Sequence, residues 1–229
     1  MGGGSLSAHG PEIASPAALS LPRRIHIIGG AGSGKSTLAG WLAARLAAPV
    51  YHLDALNFGD GSERRRPYAA RLADVHRIAA EPAWVSEGIF LGWTDALLVA
   101  ADRIIWLDLP WYVALPRIVR RYVQASRRGT NRYRGLRRLW RFLRWSAAYY
   151  RPMSPAQIDA LPEESLHSRA ATARHLRPYA SKLTRCRTTA DVTAARVAIA
   201  SVLNAETGQA NRQIAESSGA GGSHSRSRR

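Results

Sequence analysis

Several common protein classes are missing their ingredients in this chain. Cysteine is nearly absent: Cys186 is the single one in 229 residues. An intramolecular disulfide framework and a cysteine-based zinc cluster are thereby excluded. A lone thiol suits a reducing, cytoplasmic setting, and Cys186 reads as a small buried hydrophobe. No apolar run approaches the ~20 residues of a membrane-spanning helix. Residues 1–21 contain Glu12 and lack a basic start followed by an unbroken apolar stretch, so they do not read as a signal peptide. Lysine is scarce as well. Only Lys35 and Lys182 are present, and arginine supplies the rest of the 33 basic residues against 16 acids, for a net charge of +17.

What remains is an ordinary globular composition, 46% apolar and 21% charged, at a length that suits one substantial core. The charge is not spread evenly. Residues 23–116 carry +1, whereas residues 117–151 hold twelve arginines and no acid. A net charge of this size suggests a polyanionic partner: nucleotide phosphate, nucleic acid or an anionic surface. The polar, Gly- and Ser-rich ends predict a disordered N-terminal extension over 1–22 and a disordered tail over 204–229, which leaves one folded unit over 23–203.

Hydrophobic patterning predicts short buried strands at Arg24–Ile28, Val50–Leu53, Trp84–Ser86, Arg103–Leu107 and Lys182–Arg185. Helical patterning lies between them: Lys35–Leu46, Ala69–Ala80, Trp111–Ser126 with Pro116 inside, a stretch to about Tyr150, Glu163–Arg177 and Ala190–Leu203. Alternation of this kind argues for an α/β fold, a parallel sheet with helices on both faces in three layers.

Between the first strand and first helix stands Gly29-Gly30-Ala31-Gly32-Ser33-Gly34-Lys35-Ser36, a full match to G-x-x-x-x-G-K-[ST] in its required context. Glycines let the backbone form a concave nest close to phosphate oxygens. Amides at the helix N-terminus point at the anion. Lys35 adds a mobile charge for the outer phosphates, and the Ser36 hydroxyl is a ligand for Mg²⁺. Thr37 lies beside the site. The loop implies binding of a nucleoside triphosphate, ATP with Mg²⁺, without saying what is done with the phosphate.

Ligands in such sheets bind beyond the carboxyl ends of the strands. Three acids fall there: Asp54, Glu87 and Asp108. Asp54 is assigned to the acceptor or to general-base duty, and Glu87 to the metal side with Ser36. Asp108, after four apolar residues, is the rival to Glu87 or else a cap for the following helix.

Arg117, Arg120 and Arg121 share one helix face. Arg127, Arg128 and Arg132 flank a loop with Gly129 that suits a lid, about 123–135, closing over the triphosphate. In the next helix Leu136, Leu139, Trp140, Leu143, Ala147 and Tyr150 form one stripe, with Arg134, Arg137, Arg138, Arg141 and Arg144 opposite. That basic face reads as solvated over a packed stripe; docking on nucleic acid is its other reading. The histidines show no metal-ligand spacing, and Trp41, Trp84, Trp93 and Trp106 read as core.

From Arg24 to Leu203 these motifs, in their order and spacing, resemble the adenylate-kinase-related P-loop proteins called DNA topology modulation proteins. The resemblance rests on Ile27–Thr37, Val50–Asp54, Trp84–Gly88, Ile104–Pro110 and the Arg-rich helix with its loop. It implies a P-loop NTPase fold like that of adenylate kinases, with a five-stranded parallel sheet, an acceptor region and an Arg-rich lid. It places Gly29–Thr37 on ATP, Asp54 at the acceptor side, Arg127, Arg128 and Arg132 in the lid, and Arg185–Thr189 at the adenine side; Lys35, Asp54, Arg128 and Arg132 are then the expected catalytic residues, and Arg127 is expected on ATP. Glu87 stands where the family carries Asp, and Asp60–Arg71 lacks the nucleoside-monophosphate signature of adenylate kinases. The expectation is a Mg²⁺-dependent phosphotransferase of unidentified acceptor. The alternative is an ATP-binding regulator whose arginines meet nucleic acid.

Overall fold

The structure, a computed structural model, describes residues 22–59, 64–131, 135–161 and 167–219, with side chains to residue 205. The backbone divides into a unit spanning Pro22–Ser201 and a second that includes Val202 onward. Five strands, β1 (Arg24–Gly29), β2 (Val50–His52), β3 (Trp84–Gly88), β4 (Arg103–Leu107) and β5 (Leu183–Cys186), form one parallel sheet in the order β2-β3-β1-β4-β5. All four pairings are parallel. β1 is central and buried beyond Arg24, as expected for a strand covered on both faces.

Side chains alternate to opposite faces of the sheet and build two cores. On one face Ile25, Ile27, Val85, Ile105, Leu107 and Cys186 pack with Leu38 and Leu42 of α1 (Lys35–Leu46). Val192, Ala195 and Ile199 of α9 (Thr189–Gly219) join that cluster. On the other face Ile28, Trp84, Ile104 and Trp106 meet Val75 and Ile78 of α3 (Tyr68–Ala79). Leu97 and Leu98 of α4 (Asp95–Ala100) and Ala171 of α8 (Arg169–His175) complete that layer. The three-layer α/β arrangement, with a glycine loop joining β1 to α1, is the P-loop NTPase fold. The chain leaves β1 toward one layer and β3 toward the other. Their carboxyl ends therefore flank a crevice, where such sheets bind ligands.

Several local elements differ from the sequence expectations. Leu53 belongs to α2 (Leu53–Phe58), so β2 is shorter and Asp54 sits in the first turn of a helix, where an acid is favoured by the helix dipole. α4 and α7 (Pro155–Asp159) are one-turn pieces, too short to show helical periodicity. α9 continues to Gly219, beyond the Leu203 end expected for the last helix; Ala205, Gln209, Ala210, Gln213 and Ala215 are good helix formers. α5 (Trp111–Arg127) keeps Pro116 inside it. α6 (Leu136–Ala148) packs against α5, and its apolar stripe is only partly covered: Leu136 is 77% and Trp140 59% exposed. Trp84, Trp93 and Trp106 are buried core residues, as their type suggested. Among the described residues no helix is long and apolar enough to cross a membrane.

His26 is fully buried in β1, with Nδ1 2.8 Å from Ser86 Oγ and Nε2 without a partner. Burial pushes its pKa down from 6.5 to about 4. Between those values the unfolded chain binds the proton that the folded chain refuses, so stability rises with pH across that window. Lowering the pH from 7 to 4 should therefore remove on the order of 3 kcal/mol through this one group. Urea denaturation at a series of pH values checks it, and His26→Asn should flatten the profile between pH 6.5 and 5.

Candidate functional site

The glycine loop takes its shape from backbone conformations that side chains resist. Gly32 and Gly34 have φ of +73° and +96°. A Cβ on Gly32 would lie 2.7 Å from the Ala114 carbonyl oxygen, and one on Gly29 2.6 Å from that of Leu107. The loop is thus pressed between β4 and α5. Gly34 is the N-cap of α1 and, lacking a side chain, caps nothing. The amides of Lys35, Ser36 and Thr37 open the helix and have no intrahelical partner, so they face the crevice as anion donors.

Lys35 lies back over the loop and donates from Nζ to the Gly30 carbonyl, 3.1 Å away. Burial holds its pKa below the usual lysine range, and Arg121 adds to that; Glu87 and Asp54 pull the other way. Ser36 Oγ donates to Glu87 Oε1 at 2.8 Å, and His52 Nδ1 lies 2.7 Å from the same oxygen. Glu87 is itself buried at the end of β3, beside β2, because parallel register pairs it with His52. The Asp54 carboxyl is raised above its ordinary value, by burial first and by Glu87 second, against the pull of Lys35, Arg121 and His52. Five groups from five elements therefore meet electrostatically at one crevice: Lys35, His52, Asp54, Glu87 and Arg121.

A serine hydroxyl against a carboxylate is a hard oxygen donor pair, which fits Mg²⁺. Among the described residues no three His, Cys, Asp or Glu side chains cluster as a metal cage. Mg²⁺ is commonly held by one or two protein oxygens together with substrate phosphates and water.

The arginines sort differently from the sequence expectation. Arg117 donates from Nη1 to the Ser33 carbonyl at 3.3 Å, and Arg121, one turn on, acts on Lys35 and Asp54. Arg127 closes α5 and Arg128 caps it, both exposed, with no hydrogen bond or ion pair to the loop among the described residues. Arg132 and Arg134 lie outside the described residues. Sequence reasoning grouped Arg117 and Arg121 on a face without giving them a role. It gave none to His52 either. The i, i+4 spacing was the available signal for the arginines; for His52 it was the position two residues before Asp54.

Asp108 does not cap α5, and its carboxylate is taken up by arginines. Pro110 is the residue that precedes α5. The Asp108 carboxylate, fully buried, takes Arg169 on both oxygens at 2.6 and 2.9 Å and Arg185 on one at 2.6 and 2.9 Å. It ties β4 to β5 and to the start of α8. Arg185 also lies over the Trp106 ring, 4.1 Å from its centroid. Arg185, expected at the adenine side, is thus engaged by Asp108 and Trp106.

No family model matches the chain. Over 136 residues it is 29% identical to YqaC, an uncharacterized protein of Bacillus subtilis (strain 168), in an alignment covering 56% of this chain and 74% of that protein. Among solved structures it is similar to shikimate kinase from Aquifex aeolicus, with 19% identity, coverage of 47% of this chain and 80% of that one, and a TM-score of 0.33. A gluconokinase from Sinorhizobium meliloti 1021 shows 20% identity, coverage of 70% and 98%, and a TM-score of 0.36. Shikimate kinase from Bacteroides thetaiotaomicron shows 13%, 82% and 98%, and 0.35.

The two acids should separate cleanly on mutation. Glu87→Gln is expected to weaken the Mg²⁺-dependent part of nucleotide binding about 10–100-fold with little change in melting. Asp108→Asn is expected to cost the fold about 2–3 kcal/mol while keeping that Mg²⁺ dependence. Calorimetric titration with and without Mg²⁺, paired with urea denaturation, measures both.

Proposed function

We propose that this protein is a Mg²⁺-dependent phosphotransferase that moves the γ-phosphoryl group of ATP to a small-molecule acceptor. One observation carries the reading: the Ser36–Glu87 contact stands beside Lys35 and Asp54, at the mouth of a loop built to hold phosphate. The resemblance to adenylate-kinase-related P-loop proteins points the same way.

In this reading the amides of Gly32–Thr37 and the Lys35 ammonium hold the β- and γ-phosphates. Ser36 and Glu87 hold Mg²⁺, which supplies charge neutralisation on the phosphate oxygens when bound. Arg117 holds the loop carbonyl of Ser33 and steadies its curve. Arg121 is the arginine placed to offset charge that develops on the transferred group. Arg127, Arg128 and Arg132 are assigned to a lid over the triphosphate. Asp54 accepts the acceptor's hydroxyl proton; a carboxyl whose pKa is raised toward neutrality suits that duty better than a free one.

The test is a screen of nucleotides, sugars and alcohols with [γ-³²P]ATP. A labelled product is expected. Lys35→Ala and Arg121→Ala should each lower the rate about 10²–10³-fold, whereas Arg127→Ala should cost less than tenfold. Failure of the whole panel to take label, while ATP still binds, would sink the phosphotransferase reading.

A second reading rests on α6. Its Arg137, Arg138, Arg141 and Arg144 are exposed next to Leu136 and Trp140, a basic surface with a stacking ring. Docking on nucleic acid through this face should give affinity that falls with salt by about 0.9 log units per phosphate contact. Replacing the four arginines by Ser should flatten that slope, as read by fluorescence anisotropy over a salt series. An unchanged slope would remove α6 from any such role.

A further inference from the structure

A cavity of about 180 Å³ opens beside the phosphate loop. Ala31 of the loop and Ile89, just beyond Glu87-Gly88, line it from the sheet side. Trp145, Ser146 and Tyr149 line it from the end of α6, and His167 from the residues before α8. The volume equals roughly six waters at ~30 Å³ each. That is below the ~300–1,000 Å³ of sites for drug-sized ligands. It suits a single-ring molecule and is too small for a nucleotide.

The polar groups in this apolar setting are few and specific. Ser146 is 2% exposed, and its Oγ has no hydrogen-bond partner. A buried hydroxyl without a partner is costly, so an unpaired one lining a cavity points to a ligand group. His167 lies against Trp145, ring centroids 6.0 Å apart. Burial first, and the Arg65 charge second, hold its pKa below the ordinary histidine value. It is therefore a neutral imidazole at pH 7, with one donor and one acceptor. Among the described residues no charged side chain lines the cavity, so an ionised ligand would be desolvated there with no direct ion-pair partner. Trp145, 46% exposed, stands at the rim as a flat face for a ring.

We infer that this cavity receives the phosphoryl acceptor, an uncharged single-ring molecule bearing hydroxyl groups, with its ring against Trp145 and one hydroxyl bonded to Ser146 Oγ. This rests on the phosphotransferase reading and specifies its acceptor class. A second hydroxyl faces Ala31 and the γ-phosphoryl. Its oxygen forms the new bond to phosphorus, the bond from phosphorus to the β–γ bridging oxygen breaks, and ADP leaves. The hydroxyl proton passes to the Asp54 carboxylate and from there to water.

The experiment uses the full chain and a panel of cyclohexane polyols, neutral monosaccharides and hydroxylated benzenes. Binding is read from the Trp145 indole signal in ¹H–¹⁵N NMR, assigned with Trp145→Phe. Transfer is read with [γ-³²P]ATP. At least one panel member should shift the Trp145 signal saturably, lose that shift in Ala148→Phe, which fills the cavity, and take label. Ser146→Ala should raise its KM at least tenfold while the melting temperature stays equal or rises, since an unpaired hydroxyl has been removed. A panel in which nothing shifts Trp145 overturns the inference. So does a member that binds the cavity but never takes label while others do, or one that takes label with KM unchanged in both variants; in these cases the phosphotransferase reading stands. Saturable binding in the cavity, ATP binding and no label on any compound overturn both together.

Discussion

Close backbone packing at two glycines is the constraint on which the rest of the site depends. Gly29 and Gly32 leave room for the carbonyls of Leu107 and Ala114, where a Cβ would come within 2.6 and 2.7 Å. The loop can then lie against β4 and α5 and turn its amides toward the crevice. Its curvature sets where Lys35 and Ser36 begin α1, and the parallel register of β1 with β3 sets where Glu87 ends. The Ser36–Glu87 contact is the meeting of those two settings. Backbone geometry thus supplies the precision, and the side chains act from positions already decided.

The charge of the site is mixed, not merely positive. Lys35 and Arg121 face Asp54 and Glu87, with His52 on the Glu87 oxygen. Such mixing tempers the field of an otherwise very basic chain. Burial shifts Lys35 down and Asp54 up because it opposes each charge, and the opposite-sign neighbours pull back against both shifts. Elsewhere arginine does structural work. Arg169 and Arg185 converge on Asp108, and Arg24 holds Asp102 at 2.8 Å where β4 begins. The large net charge reflects several separate uses of one residue type. Arginine's planar fork suits all of them, because it grips carboxylate and phosphate alike.

Much of the architecture was legible because its signals are local. β1 is a β-branched run that ends in glycines, α1 carries Leu38 and Leu42 at helical spacing, and the five strands fall close to their expected places. Boundaries failed where an element was one turn long, as in α2 and α4. The apolar stripe of α6 was visible, but its exposure was not, since a stripe does not say whether anything covers it. Glu87 and Asp108 looked alike as acids after apolar strands. Only their partners separate them: a serine hydroxyl for one, two guanidinium groups for the other.

By itself the sequence determined the α/β class and the glycine loop between β1 and α1, because both depend on neighbours within a few residues. Periodicity assigns strand or helix, and the spacing of glycines before Lys35 and Ser36 prescribes a nest. The tertiary structure alone decided which distant groups meet. The order β2-β3-β1-β4-β5 brings β3 beside β1, and so Glu87 to Ser36 across 51 positions. It also brings Arg117 across 84 positions to the Ser33 carbonyl and forms the cavity between Ala31 and Ser146. Strand order is a property of the whole folded chain, settled by which faces bury together, and no local pattern records it.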